Sequence, residues 1–263
     1  MRIIVCIKQV PNSSLIKIDP VTGAMIRDGV PNIINPDDKG GIEEALRMKE
    51  QFPGTTVTVV CMGPPQAKSA LREAYAMGAD EGVLISDRAF GGSDTRATAC
   101  IIGAAIRRLG HFDLIICGRQ AIDGDTAQVG PQLAEELGIP QITYVSHLEV
   151  SGNKVVAHRN LEKSYLVMHA KMPLLLTAMK EMNQARFPSI PGIKTAFKKE
   201  IITFSNQELK LPDSEIGFTG SPTKVVKSFV PKPRQRGEII EGNTSAELVE
   251  GLFDRLLSTK ALS

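Results

Sequence analysis

The sequence predicts an α/β protein with a doubly wound, mostly parallel sheet, an antiparallel addition at one edge and an extended C-terminal arm. Three observations carry that expectation. Four short apolar runs, at 2–7, 56–61, 82–85 and 114–117, alternate with helix-like segments through the first half of the chain. After Pro140 the strand-like runs follow one another closely. From about residue 217 to 243 the sequence is polar and carries Gly, Pro and Lys, which suits an arm and not a core.

Each element follows from its local pattern. Arg2–Ile7 is a β-rich run that begins immediately after Met1. A short hairpin is expected at Val21-Thr22-Gly23, flanked by residues 16–20 and 24–28. Asn35 stands as a helix cap with Pro36 at the first helical position. Ile42, Ala45, Leu46 and Lys49 then share one face. Ala67–Met77 reads as a second helix, and Thr98–Leu109, apolar nearly all round, as a well-buried third.

The run Leu114–Cys117 opens into Gly118-Arg119-Gln120-Ala121-Ile122-Asp123-Gly124-Asp125-Thr126-Ala127-Gln128-Val129-Gly130-Pro131. Gln132–Gly138 follows as a helix closed by glycine. Proline is disfavoured beyond a first helical turn, so this helix is expected to begin near Gln128. Ile142–Val150, Lys154–Arg159, Ser164–Ala170 and Leu174–Ala178 are expected as antiparallel edge strands. Arg186–Ile193, with Pro188 and Pro191, is expected to be irregular and to expose apolar residues. Thr244 or Ser245 caps a last amphipathic helix. The expected division is a body of 1–216, including edge strands within 141–180, and an arm with its helix at 217–263.

Composition narrows the function. A chain of 263 residues with 42% hydrophobic and 23% charged content is an ordinary globular protein with a substantial core. A net charge of +2 gives no electrostatic case for nucleic acid, and 5% aromatic content without Trp gives no stacking platform. No run approaches the roughly 20 apolar residues of a membrane span, so no membrane insertion is expected. Cys6, Cys61 and Cys117 fall in strands and Cys100 in a helix, all singly, as core thiols of a reducing compartment. With no signal-peptide pattern, the expected location is cytoplasmic.

His111, His147, His158 and His169 show no metal-ligand spacing and read as surface or edge residues. The dinucleotide glycine fingerprint, the phosphate-loop lysine motif and the nucleophile elbow are absent from the sequence. No catalytic side chain and no metal ligand are therefore assigned. Any redox role requires a bound cofactor.

Ligands of a parallel sheet collect beyond the carboxyl ends of its strands. There the sequence sets Cys6-Ile7-Lys8, Asn35-Pro36-Asp37-Asp38, Cys61-Met62-Gly63-Pro64, Gly91-Gly92-Ser93-Asp94-Thr95 and the Gly118–Pro131 loop. Small residues leading into a helix N-terminus suit a phosphate, and the set together suits a nucleotide. The Asn35 and Ser93–Thr95 segments are equally readable as plain helix caps.

Val5-Cys6-Ile7-Lys8-Gln9-Val10, Asn35-Pro36 ahead of Glu43-Glu44-Ala45-Leu46-Arg47, Met62-Gly63-Pro64, residues 74–80 and Gly118–Gly130 carry a family likeness. Over nearly its whole length the chain resembles the β subunit of electron transfer flavoproteins. The resemblance implies an adenine-nucleotide α-hydrolase-like, Rossmann-like fold. It also implies a heterodimer with an α subunit that holds its own FAD, and electron exchange with an acyl-CoA dehydrogenase-type enzyme. The Asp123–Pro131 loop, with Gly220-Ser221-Pro222-Thr223-Lys224, looks like the electron-bifurcating branch. That branch implies a second FAD in this subunit, NADH as donor, and ferredoxin or flavodoxin as the other acceptor. An ordinary β subunit holding structural AMP is the alternative, and a nucleotide-sensing stress-type protein is a second one.

By this likeness the cofactor contacts are Cys6, Lys8, Asn35, Asp38, Met62, Gly63, Asp94, Thr95 and Thr98, with Gly118, Arg119, Gln120, Ala121 and the run Asp123–Gly130. Asp123–Gly130 would meet the pyrophosphate, Asn35, Met62 and Gly63 the adenosine side, and Ser93–Thr95 the ribityl or flavin side. Segment 183–195 becomes a partner-docking loop with Phe187 and Ile190 as its apolar residues, and 217–263 a contact for the α subunit. The likeness is incomplete near the second edge turn. Arg159 and Glu162 fit, Lys163 and Ser164 replace an acidic–glycine pair, and Pro173, Leu175, Leu176 and Thr177 fit again.

Overall fold

The computed structural model describes residues 1–12, 17–18, 25–26, 31–224, 226, 237–259 and 261. The first part of the chain forms β1 (Arg2–Ile7), β2 (Gln9–Pro11), β3 (Lys17–Ile18), β4 (Met25–Ile26), β5 (Asn32–Ile34), α1 (Pro36–Gln51), β6 (Thr56–Met62), α2 (Lys68–Met77), β7 (Glu81–Ile85), α3 (Thr95–Leu109), β8 (Leu114–Gly118) and α4 (Val129–Leu137). There follow β9 (Gln141–Ser151), β10 (Lys154–Asn160), β11 (Tyr165–Lys171), β12 (Leu174–Ala178), α5 (Ile190–Ala196), β13 (Ile201–Phe204), α6 (Asn206–Leu209), α7 (Gly217–Gly220) and α8 (Ser245–Ser258).

Nine of the described strands form one sheet in the order β11-β10-β9-β12-β8-β1-β6-β7-β13. β1 lies between β6 and β8, parallel to both, with Val5 opposite Val59 on one side and Ile116 on the other. Alternation then divides its side chains. Ile3, Val5 and Ile7 pack with Ile42, Leu46 and Leu71 of α1 and α2, while Ile4 and Cys6 pack with Ile101, Ile106 and Leu133 of α3 and α4. Both faces are therefore covered, as an apolar parallel sheet requires. The chain runs from β1 outward through β6 and β7, then returns to β8 on the other side of β1, so the winding reverses between β1 and β8.

The edge addition differs from expectation in one strand. β9, β10 and β11 are antiparallel, but β12 lies between β8 and β9 and is parallel to both. All five of its residues, Leu174-Leu175-Leu176-Thr177-Ala178, are buried. A continuous apolar run without alternation is the pattern of a strand covered on two faces, and it distinguishes β12 from its neighbours. β9 changes partner at Tyr144, whose φ of 57° turns the strand while its N–H donates to Thr177 Oγ1 at 2.9 Å.

Two further differences concern the C-terminal half. The segment expected to be irregular contains α5, because Ser189 Oγ accepts the Gly192 N–H and Pro191 sits in the first turn, where no N–H bond is lost. Phe187 and Ile190 are nonetheless 88% and 85% exposed. The first compact unit runs to Val226, past the expected boundary at 216, and the second comprises Lys227–Ser263. Within the second unit Thr244 caps α8, with its Oγ1 accepting the Glu247 N–H at 3.3 Å. The hairpin turn at 19–24 and the Pro-Lys stretch at 231–236 lie outside the described residues; β3 and β4, which flank the turn, pair antiparallel. No helix among the described residues is long and apolar enough to cross a membrane.

Glu43 of α1 ties the 183–195 segment to the body. Its buried carboxylate accepts Arg186 Nε at 2.8 Å, Arg186 Nη2 at 3.0 Å and the Arg186 N–H at 3.0 Å. Burial alone would raise the Glu43 pKa, but the Arg186 hydrogen bonds and charge outweigh it and hold the carboxyl below its ordinary value. A depressed pKa means that this stabilisation is full above the unfolded carboxyl range and is lost as pH falls through the folded value. Arg186→Met, which removes two of the carboxylate's hydrogen bonds and leaves it the backbone N–H of position 186 and Arg47 Nε at 3.2 Å, is expected to lower unfolding free energy by about 1–3 kcal/mol at pH 7. Urea titrations at pH 7 and pH 3.5 check this, and the difference between the two proteins should shrink at the lower pH.

Candidate functional site

The site forms where the winding reverses. β1 ends at Ile7 and β8 at Gly118, and the next N–H groups beyond β1 and at the end of β8 converge on one side chain. Asp38, in the first turn of α1, accepts the Lys8 N–H at 2.7 Å and the Gly118 N–H at 3.1 Å. Asn35 Nδ2 adds a third bond at 3.0 Å. Burial pushes the Asp38 carboxyl up to about 7, against these three donors and with the help of the Asp37 charge. Gly118 is required here, since a Cβ on it would stand 2.1 Å from Asp38 Oδ1.

Above this junction lies a cavity of about 910 Å3. It brings together all the sequence-assigned cofactor residues except Asn35 and Asp123. Asn35 is fully buried behind the loop, with Nδ2 donating to Gln120 O at 2.8 Å and Oδ1 accepting the Ile122 N–H at 3.1 Å. It makes no side-chain cap on α1, contrary to the capping expectation. Asp123 instead grips Lys8 Nζ with both oxygens, at 2.8 and 2.7 Å. Asp94 caps α3 through the Ala97 N–H at 3.0 Å and also binds Thr223. That cap explains why α3 begins at Thr95.

The loop after β7, Ser86-Asp87-Arg88 with Phe90, also lines the cavity and was not assigned from sequence. The signal was available, because this loop too follows the carboxyl end of a parallel strand.

The small residues of the Gly118–Gly130 loop have divided roles. A Cβ at Gly130 would stand 2.6 Å from Thr177 Cγ2, so this glycine permits close packing of α4 on β12. Asp125 and Ala127, with φ of 52° and 54°, take left-handed conformations that turn the backbone sharply before α4. α4 begins at Val129 without a side-chain cap, leaving the positive end of its dipole at the cavity.

These features can be tested against a nucleotide. Lys8, Arg88 and Arg119 supply cations to the lining. Arg119 Nε is buried without a hydrogen-bond partner, 3.4 Å from the equally unpartnered Asp37 Oδ2. Burial raises the Asp37 pKa, although the Arg119 charge lowers it. Met62, Ile85, Phe90 and Ile102 give the cavity an apolar side. An anion at the α4 end and a planar ring at the apolar side therefore both fit. The volume stands near the top of the ordinary ligand-pocket range of about 300–1,000 Å3, which accommodates more than a mononucleotide.

The Cys117 thiol on the lining is a poor nucleophile. Cys117 is pushed well above its ordinary pKa by a hydrogen bond with Cys6 and by burial. All four cysteines are free and buried.

Asp38 gives the site a pH signature. Its raised folded pKa makes the folded state bind the extra proton between about pH 4 and 7, so its contribution is fullest at low pH and declines as pH rises through 7. Asp38→Asn is expected to cost about 1–3 kcal/mol by mispairing the Lys8 N–H. It should also remove the decline in stability between pH 5 and pH 7.5, as read by denaturant midpoints.

The chain matches the family model described as "Electron transfer flavoprotein domain" over residues 22–209. It is 53% identical over 259 residues to the electron transfer flavoprotein subunit beta of Thermoanaerobacterium thermosaccharolyticum, covering 98% of both chains. Over 256 residues it is 48% identical to the caffeyl-CoA reductase-Etf complex subunit CarD of Acetobacterium woodii, with 97% of this chain and 98% of the relative covered. Over 265 residues it is 46% identical to the acryloyl-CoA reductase electron transfer subunit gamma of Anaerotignum propionicum, covering 98% of each. Family model and relatives agree along most of the chain's length: it belongs to the electron transfer flavoprotein family, as a β subunit that pairs with an α subunit.

Proposed function

We propose that this β subunit holds FAD in the cavity at the ends of β1 and β8, and that it belongs to the electron-bifurcating type. The cavity's size carries the reading, together with an uncapped α4 N-terminus at one part and an apolar lining at another. When bound, FAD would supply the redox chemistry, two-electron acceptance from NADH and one-electron release. One electron is assigned to ferredoxin or flavodoxin, and the other to an acyl-CoA dehydrogenase-type enzyme through the α-subunit FAD. The printed names of the caffeyl-CoA and acryloyl-CoA reductase relatives support a partner of that substrate class.

The chain's own residues bind and orient. The backbone turn at Asp125–Gln128 and the α4 N-terminus receive the pyrophosphate, where oriented N–H groups replace water around the anion. Arg119, whose Nε faces Asp37 Oδ2 at 3.4 Å, adds a cation to the lining beside it. Met62, Ile85 and Phe90 exclude water from a planar ring. No side chain is assigned a proton-transfer role. Phe187 and Ile190, exposed on and beside α5, form the contact for the dehydrogenase-type partner, and the Glu43–Arg186 clamp limits the ordering cost of docking.

The test is anaerobic titration of the purified α–β complex with NADH while flavin absorbance is followed. Wild type should bleach. Ala127→Asp puts a carboxylate beside the anion position in a left-handed conformation that Asp tolerates, and should lose at least about tenfold in cofactor affinity through charge repulsion. Ala127→Asn should keep the cofactor. Wild type that carries flavin but is not reduced by NADH would exclude the bifurcating reading, and retention of cofactor by Ala127→Asp would move the phosphate site elsewhere.

A further inference from the structure

Asp94 stands on the cavity wall between β7 and α3, yet both of its carboxylate oxygens are already engaged. Oδ1 accepts the Ala97 N–H at 3.0 Å. Oδ2 accepts the Thr223 N–H at 3.0 Å and the Thr223 hydroxyl at 2.7 Å. Its own N–H donates to Ser221 Oγ at 2.8 Å, and that buried hydroxyl in turn donates to Gly217 O at 2.7 Å. Ser93 Oγ accepts the Gly217 N–H at 3.0 Å. Residues separated by 124 to 129 positions are thus stitched together over one short stretch of cavity wall.

We infer that Ser221 and Thr223 are positioning residues of the nucleotide cavity, acting through Asp94. The inference rests on the nucleotide reading of the cavity given above. The strap formed by residues 217–223 fixes the backbone at Ser93–Asp94 and so sets where Thr95 stands. Thr95 Oγ1 reaches Gln128 Oε1 at 3.4 Å, and Gln128 immediately precedes the α4 N-terminus. The strap therefore connects, through Asp94 and Thr95, to the end of α4 that receives the anion. Without it the loop would have to be ordered by the ligand itself, which subtracts from affinity.

The geometry also specifies the carboxylate's charge state. Burial would raise the Asp94 pKa, but the Ala97 and Thr223 hydrogen bonds outweigh it and hold the group below its ordinary value. At neutral pH Asp94 is accordingly the anionic acceptor that the Thr223 donors require.

Thr223→Val removes the hydroxyl donor, keeps the backbone N–H and preserves side-chain shape; Thr223→Ser restores the donor. Equilibrium dialysis of the full-length chain against FAD and, separately, against AMP gives the affinities, and thermal unfolding serves as the control. The expected result is roughly tenfold weaker binding for Thr223→Val, about wild-type binding for Thr223→Ser, and melting temperatures that differ little. Unchanged affinity in Thr223→Val overturns the inference. So does equal loss in Thr223→Ser, or a melting temperature that falls in step with affinity. Wild-type chain that binds neither nucleotide overturns the reading of the cavity itself, and the inference falls with it.

Discussion

Where two parallel strands end side by side, their last N–H groups point beyond the sheet and need acceptors. Asp38 accepts one from each, at Lys8 and Gly118, and by doing so joins β1, β8 and the first turn of α1 at one point. Burying a carboxylate there is unfavourable unless donors surround it, and the third bond from Asn35 completes the set. Asn35 then reaches on to the backbone at Gln120 and Ile122, so the loop that ends at α4 is held by the same small group of side chains. The floor of the cavity is a consequence of satisfying strand ends. Its position at the reversal of winding follows from topology alone.

Much of this was legible in the sequence. Continuous apolar runs at Arg2–Ile7, Thr56–Met62 and Leu114–Gly118 mark two-sided burial, and the loops after them fall on one edge by the rule for parallel sheets. The same rule extends to Ser86–Phe90, and the buried run Leu174–Ala178 carries the signature that separates β12 from the antiparallel strands. Other features had no local signature. Asp123 looks like a ligand contact within its own loop, but its partner Lys8 lies 115 positions away. Asn35 looks like a cap, yet its side chain serves residues 85 and 87 positions away. Gly118 and Gly130 suggested room for an anion, whereas their missing Cβ atoms make room for Asp38 and Thr177. In each case a small or polar residue had several uses, and only tertiary contact selects among them.

The contacts at the cavity divide by purpose. Asp38, Asn35 and Asp123 hold the loops, and Asp94 with Ser221 and Thr223 holds the opposite wall. The backbone turn at Asp125–Ala127 and the start of α4, which carries no side-chain cap, are the parts that the proposed function assigns to the anion. An acidic residue in a loop of small residues thus need not face the cavity, as Asp123 with its Lys8 partner illustrates. Segment 183–195 is set apart from this machinery. Its exposed Phe187 and Ile190 are carried by a segment that Arg186 fastens to Glu43 of α1, the helix whose first turn carries Asp38.

The central claim is that the cavity at the ends of β1 and β8 holds a flavin. It is tested most directly by acid release and chromatographic measurement of FAD and AMP in the purified complex of this chain with its α subunit. The account predicts two FAD and no AMP per heterodimer. One FAD with one AMP would contradict it, and would make this subunit a scaffold for the flavin of its partner.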